Sequence, residues 1–298
     1  MTSIHLRLTA ADKSDVGKQR DQNEDCAYKR VESSEEGDRG LFIVADGMGG
    51  YKAGEVASKL AIETISKLLD NFFKPISDQP TIKLDLASMS KKGKKASLES
   101  AKSEESGTQK TRKLSETTIA SAVEDQLKVA IEQANTAIVR YGEKQSSARG
   151  LGSTVTAALV QNDQAYIANV GDSRTYLLRE KKLTPITRDH SLVARLVESN
   201  QIEPDEVYTH PQRNLIYRSL GAGHKTVEID IFHQTLLPDD VLLLCSDGLW
   251  EMVRQQDLLK LLSEQSSPKT ICDKLIDMAN ANGGEDNITA VVVHVSAH

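Results

Sequence analysis

Cysteine is scarce in this chain: among 298 residues only Cys26, Cys245 and Cys272 occur. An odd number without paired ligand spacing argues against a disulfide framework and a thiolate zinc site, so the three are read as reduced, mostly buried thiols. Long apolar runs are missing too. None approaches the roughly 20 residues that cross a bilayer, and the opening Met1-Thr2-Ser3-Ile4-His5-Leu6-Arg7 lacks the apolar core of a secretory leader. A cytoplasmic protein without a membrane span is the expectation. There is no excess of positive charge either; the net charge of −6 leaves no footprint for general nucleic-acid binding, so no nucleic-acid partner is expected. What the composition does supply is 39% hydrophobic residues, enough for the large core of one domain over 1–298.

No internal repeat occurs beyond one device, an acidic residue at the end of an apolar, strand-like run. Leu41-Phe42-Ile43-Val44-Ala45 ends in Asp46-Gly47, Val241-Leu242-Leu243-Leu244-Cys245-Ser246 ends in Asp247-Gly248, and Ala165-Tyr166-Ile167-Ala168-Asn169-Val170-Gly171 ends in Asp172. Asp286 precedes the β-branched run from Ile288, and Asn23-Glu24-Asp25 precedes another short strand. Taken singly, Asp-Gly after a strand is turn chemistry. Turns do not explain why distant strand ends all present acid. Carboxylates gathered without partners repel and raise one another's pKa, so such a cluster is tolerable only if cations neutralise it. No His or Cys lies among these acids, and hard oxygen donors suit Mg²⁺ or Mn²⁺, whereas zinc would recruit imidazole or thiolate. An Asp shared by two such ions makes a site that draws hydroxide from water and polarises a phosphoryl group. Asp46 is read as that bridge, with Gly47 free to turn its carbonyl to an ion and to let a bulky substrate approach.

The rest of the chain supplies a scaffold. Residues 21–31 and 40–45 read as a hairpin, and three- and four-residue apolar steps predict helices over 54–73 and 119–138, the second stopping at Gly142. Between them, about 75–114 turns to Lys, Ser, Glu and Thr. It is too poor in core formers to offset its ordering entropy and reads as a flexible insertion. Strands over 153–160, 164–170 and 174–179, with short turns, predict an antiparallel meander. A short helix at 191–199, strands at 226–233 and 240–245, helices at 256–263 and 268–279 and a strand at 288–295 complete the pattern. Strands in runs, with helices grouped before and after, predict packed sheets covered by helices rather than βαβ units.

Six motifs then occur in order: Arg20-Asp21-Gln22-Asn23-Glu24-Asp25, Asp46-Gly47-Met48-Gly49-Gly50, Gly152-Ser153-Thr154, Gly171-Asp172-Ser173-Arg174, Ser246-Asp247-Gly248-Leu249-Trp250 and Glu285-Asp286-Asn287-Ile288-Thr289. Together they resemble the metal-dependent PP2C-type serine/threonine protein phosphatases in their bacterial form. The resemblance implies an α+β fold, a four-layer α-β-β-α sandwich of two mainly antiparallel sheets with helices on both outer faces. It implies two Mn²⁺ or Mg²⁺ ions at one end. Asp46, Asp247 and Asp286 would hold the first ion; Asp46 and the Gly47 carbonyl would hold the second, supported by Glu24 or Asp25. Asp172 with Asp247 would form a third, weaker position. Arg20 matches the phosphate-binding arginine, whose planar fork grips two oxygens; without the resemblance it reads as a surface ion pair with Asp21 or Glu24.

The implied reaction is attack of a metal-bridging water on phosphoserine or phosphothreonine, without a covalent phosphoenzyme. The implied partners are phosphorylated proteins and a cognate serine/threonine kinase, and a monomer is the default. Met48 stands where related eukaryotic proteins often carry a His that serves as general acid. His190 and His210 are the other imidazoles considered, both better read as structural, and Trp250 is read as a core anchor. Residues 191–223 resemble the family's variable flap beside the site. No cysteine has Arg six positions on, and no Asp-x-Asp-x-Thr occurs, which disfavours thiol and aspartyl nucleophiles. The alternatives are a two-metal nuclease and a catalytically silent module that binds phosphoproteins.

Overall fold

The computed structural model describes residues 5–35, 37–49, 53–74, 116–145 and 150–297; the insertion expected at about 75–114 lies outside them. In chain order the elements are β1 (Leu6–Asp15), β2 (Asp25–Glu32), β3 (Arg39–Met48), α1 (Ala53–Leu68), α2 (Glu116–Lys144), β4 (Gly152–Ser153), β5 (Val155–Gln161), β6 (Gln164–Val170), β7 (Arg174–Arg179), β8 (Lys182–Pro185), α3 (Leu192–Glu198), β9 (Leu220–Gly221), β10 (Asp230–Thr235), β11 (Val241–Cys245), α4 (Asp247–Trp250), α5 (Gln255–Leu262), α6 (Pro268–Ala281) and β12 (Ile288–Ala297). The strands pair into one sheet ordered β1-β12-β11-β7-β8 and another ordered β10-β6-β5-β3-β4-β9, with β2 also on β3.

Strand parity explains why the acid-tipped runs are apolar throughout. In β3, Leu41, Ile43 and Ala45 join a core with α1 and α2, while Phe42 and Val44 join a second core against the opposite sheet. In β11, Val241, Leu243 and Cys245 face the helical layer of α5 and α6, while Leu242 and Leu244 face the other sheet. Side chains alternate across a strand, so a sheet covered on both faces needs no polar positions. Three cores between four layers result, the α-β-β-α sandwich. Phe42 is fully buried at its centre; truncation to Ala there costs about 3–5 kcal/mol.

Several elements differ from the sequence reading. The helix expected over 54–73 ends at Leu68 and continues as a 3-10 turn, Asp70–Phe73. Gly142 does not stop α2, which runs on to Lys144. The meander expected over 153–179 is split, since β6 pairs in one sheet and β7 in the other. Gly171-Asp172-Ser173 carries the chain across, with Gly171 at φ 106°. Finally, β1 was not foreseen. Its ten residues pair along the whole of β12, so its strand character comes from that partner rather than from its own polar sequence.

Candidate active site

The acids meet at one end of the sandwich because strand register and two loops bring them there. Asp25 and Asp46 are cross-strand partners in the β2–β3 pair. The Asp46 backbone is held at both groups: its N–H donates to Thr154 Oγ1 (3.1 Å), and its carbonyl accepts from Thr154 N (2.8 Å) and Ser153 Oγ (3.0 Å). Asp247 opens α4 directly after β11. Asp172 lies at the crossing between sheets, where its carbonyl accepts the Trp250 indole N–H at 3.0 Å. Arg174 lies over the Trp250 ring, 3.5 Å from its centroid, and forms a buried ion pair with Asp189 at 2.7 Å. Trp250 is therefore a core anchor.

Close chain crossings set the loops. A side chain on Gly47 would meet the Gly54 carbonyl at 2.0 Å and the Glu24 carbonyl at 2.6 Å. The close approach that Gly47 permits here is that of this chain's own backbone. Gly17, at φ 79°, sits where a Cβ would lie 2.2 Å from the Asp286 carbonyl. That contact lays the loop bearing Arg20 on the loop bearing Asp286, and Arg20 Nη2 reaches Asp286 Oδ2 at 2.6 Å. The alternative pairing of Arg20 with Asp21 or Glu24 is not the one observed.

Three organising residues were quoted within the motifs but given no role. Asn287 donates to the Val16 and Gln22 carbonyls (both 2.9 Å) and accepts from Glu24 N (2.7 Å), so one amide clamps residues 16–24 beside Asp286. Ser246 donates to Asp25 Oδ2 at 2.7 Å and accepts from Thr289 N at 3.0 Å. Thr154 is the third. For Asn287 and Ser246 the signal was position beside an acid; Thr154 carried none, since it meets Asp46 only across the folded chain.

The electrostatics are those of crowded acids. Burial raises Asp46 well above the usual carboxylate range, and the charges of Asp247, Asp25, Asp172 and Asp286 add to it. Asp247 is raised in the same way, by burial and then by Asp172, Asp286, Glu251 and Asp25. Burial lifts Asp25 to about 6 against the opposing hydrogen bond from Ser246, and burial together with Asp189 lifts Asp172 to about 7. Glu24, raised by burial, accepts from Gly54 N at 3.2 Å. Partial burial works against the charge on Arg20, but Asp286, Asp247 and Asp46 hold its pKa above the ordinary value.

Among the described residues no three of these groups stand ready-made around one cation position, and Asp286 is turned to Arg20. The donor set nevertheless fits hard divalent ions. Oδ1 of Asp25 and Oδ1 of Asp247 are buried with no hydrogen-bond partner, a state that costs about 1–3 kcal/mol or more for each charged oxygen. Every surrounding ligand is oxygen, and the repulsion recorded in the raised pKa values is what dications would relieve.

The imidazoles lie elsewhere. His190 is buried, with Nδ1 accepting from Gly171 N (3.0 Å) and Nε2 against Arg218 and Asp230; burial and Arg218 lower its pKa. His210 lies on the 191–223 segment, Nδ1 accepting from Gln212 N. That segment carries α3 and a 3-10 turn, Pro204–Tyr208. It closes at its base through Leu192 N to Leu215 O (2.8 Å) and Tyr217 N to His190 O (2.9 Å). Arg213 ties it to the acid end, reaching Glu251 (3.3 Å) and Glu285 (2.8 Å).

With this geometry in place, the protein phosphatase 2C family profile matches residues 18–288. The chain belongs to the protein phosphatase 2C family. A serine/threonine phosphatase, Stp, of Listeria welshimeri is 35% identical over 253 residues, covering 85% of this chain and 83% of its own. The serine/threonine protein phosphatase PstP of Mycobacterium tuberculosis is 34% identical over 99% of this chain, which spans 46% of PstP's length. The crystal structure of Mycobacterium tuberculosis PstP superposes with a TM-score of 0.73 at 32% identity, covering 98% of this chain and 99% of that one. The PstP catalytic domain in complex with two manganese ions superposes at 0.72, again at 32% identity and with the same coverage. This chain thus shares the 2C fold of two mainly antiparallel sheets between helices. Among its described residues no helix is long and apolar enough to cross a membrane.

Proposed function

We propose that this 2C-family chain hydrolyses phosphoserine and phosphothreonine side chains of proteins with the help of Mn²⁺ or Mg²⁺, reversing the action of a serine/threonine kinase. One observation carries the reading: Asp25, Asp46, Asp247 and Asp286 share one electrostatic cluster, two buried carboxylate oxygens in it lack partners, and a half-exposed arginine stands beside it. Asp46, Asp247 and Asp286 are assigned to one ion, Asp46 and the Gly47 carbonyl to a second with Glu24 or Asp25 in support, and Asp172 with Asp247 to a weaker third. When bound, such ions supply a nucleophile from water at neutral pH and neutralise charge on a phosphoryl group. The protein's own groups do the rest. Asp46 is held from Thr154 and Ser153, so its carboxylate stays aimed while its neighbours repel it. Arg20 exchanges Asp286 for a phosphate dianion, offering two parallel N–H donors. His190 has both ring nitrogens engaged, so the proton for the departing oxygen is assigned to solvent. The monomer and the flap role of 191–223 belong to this proposal.

The test is turnover of p-nitrophenyl phosphate and a phosphothreonine peptide with Mn²⁺ and with chelator, beside single-stranded nucleic acid. Mn²⁺-dependent release of phosphate from both small substrates is expected. Cleavage of the nucleic acid alone would establish the nuclease, and tight peptide binding without turnover would establish the silent module.

A further inference from the structure

We propose that a basic groove beside the 191–223 segment binds acidic residues flanking the phosphorylated residue of the substrate. This rests on the phosphatase reading and names the class of protein that the site would take. The groove, of about 840 Å³, lies between the β7–β8 turn, the 3-10 turn Pro204–Tyr208 and the start of α5. Its walls include Lys181, Lys182 and Arg254 against a single carboxylate, Asp205. In a chain of net charge −6 this is a local inversion of sign. Among the described residues no carboxylate forms an ion pair with any of the three cations. Arg254 instead lies over Tyr208, its guanidinium carbon 3.5 Å from the ring centroid, a contact with the ring face that commits none of its N–H donors to a carboxylate.

Two further observations favour a built surface over a solvated rim. Turns of this kind ordinarily take Asn-Gly, because both central residues need positive φ. Here Glu180 and Lys181 hold φ of 50° and 62°, at roughly 1–2 kcal/mol each. The groove is also connected to the acid cluster, since Tyr208 packs on Trp250 with centroids 6.2 Å apart, and Trp250 holds the Asp172 carbonyl. Arg174, at the start of β7, pairs in register with Cys245, two residues before Asp247. Five further residues of β7 lead to the turn, so at about 3.3 Å per residue the lysines stand roughly 20 Å from the acid end. An extended peptide leaving the site reaches them with its fourth to seventh residues from the phosphate, by the same rise.

The experiment compares the full chain with Lys181→Gln/Lys182→Gln and with Arg254→Gln. The substrates are p-nitrophenyl phosphate and two phosphothreonine peptides, with Glu or with Gln at about four to seven residues from the phosphate. The native chain is expected to show a KM for the Glu peptide about five-fold or more below that for the Gln peptide, a margin that shrinks in 0.5 M salt by screening. The variants should lose the margin while kcat and p-nitrophenyl phosphate turnover stay unchanged. Equal KM values for the two peptides in the native chain, or a margin that survives both variants, would overturn the groove while leaving the phosphatase standing. Fluorescence anisotropy of the unphosphorylated Glu peptide decides the groove even if nothing is hydrolysed: binding lost in the lysine variant supports it, and binding unaffected overturns it.

Discussion

The strand-end acids and the 191–223 segment flank the same site but are held by opposite means. Asp25 and Asp46 are placed by ladder register, Asp46 also by backbone bonds to Thr154 and Ser153, Asp25 through the neighbouring Glu24 N–H that Asn287 holds, and Asp247 by its place directly after β11. Their side chains repel one another, so position is rigid while charge is uncompensated. The segment has compensated charge and reaches its neighbours through ion pairs: Arg213 joins Glu251 and Glu285, and Arg218 joins Glu228 and Asp230. Under the proposed function, rigid backbone would serve acids that hold cations to a narrow geometry, and exchangeable ion pairs would serve a segment past which substrates enter and leave. The acid cluster stores its strain as electrostatics and gives it up on binding. The segment stores none.

The comparison breaks most completely at the acids. Asp46→Ala and Asp247→Ala should each lower Mn²⁺-dependent kcat/KM by about 1,000-fold or more, the scale of losing preorganised charge at a phosphoryl transfer site. The same variants should melt higher than the native chain in chelator, since each removes one repelling charge. Near-native turnover in either variant would remove the acid cluster from the reaction. Arg20→Ala comes next. A fall in kcat/KM of about 10- to 100-fold is expected, as for a lost bidentate phosphate contact, with Mn²⁺ affinity kept or improved because Asp286 is released. Weaker Mn²⁺ binding with unchanged KM would instead make Arg20 an organiser of Asp286.

Acidity sharpens the comparison in the metal-free chain. The Asp25 and Asp172 carboxyls titrate near 3.8 when unfolded and at about 6 and about 7 when folded. Between those limits the folded chain holds more protons, so stability is full below about pH 4 and falls as pH rises through 6 to 7. In chelator the melting temperature should therefore drop from pH 5 to pH 8, and the rise on adding Mn²⁺ should be larger at pH 8. A flat chelator profile over that range would mean that the Asp25 and Asp172 carboxyls are better solvated than their burial implies.

Much of this was readable in the residues, for identifiable reasons. A run such as Leu41-Phe42-Ile43-Val44-Ala45 announces a strand covered on both faces, and its terminal Asp announces a charge at the end of that strand. The recurrence of that pattern exposed the acid cluster before any fold was known. β1 stayed hidden because its alternation fades after Ala10, and only the ten-residue ladder with β12 holds the remainder extended. The split of β6 from β7 stayed hidden because a short turn is equally compatible with a hairpin and a crossing between sheets. Asn287, Ser246 and Thr154 escaped because their partners lie up to 271 residues away in the chain.

The smallest effect is expected on the other side of the comparison, at Arg213. Its pair with Glu285 is largely exposed and contributes about 1 kcal/mol or less; the pair with Glu251 is better buried, and burial raises Glu251 despite Arg213. Arg213→Ala therefore leaves Glu251 as one more unpaired acid near Asp247 and frees the segment at one anchor. The base, closed by Leu192 to Leu215 and Tyr217 to His190, stays intact, so the segment should loosen rather than unfold. Global melting should shift by only about 2–4 °C. KM for a phosphopeptide should rise a few-fold, and chymotrypsin should cut at Tyr208 and Tyr217 about three to ten times faster, in line with loss of roughly 1 kcal/mol of local stability. Mn²⁺ with phosphopeptide should slow those cuts in the native chain and less so in the variant. Cleavage that ignores both the ligand and the substitution would show that 191–223 is a fixed wall of the site, and the contrast between held acids and a released segment would disappear with it.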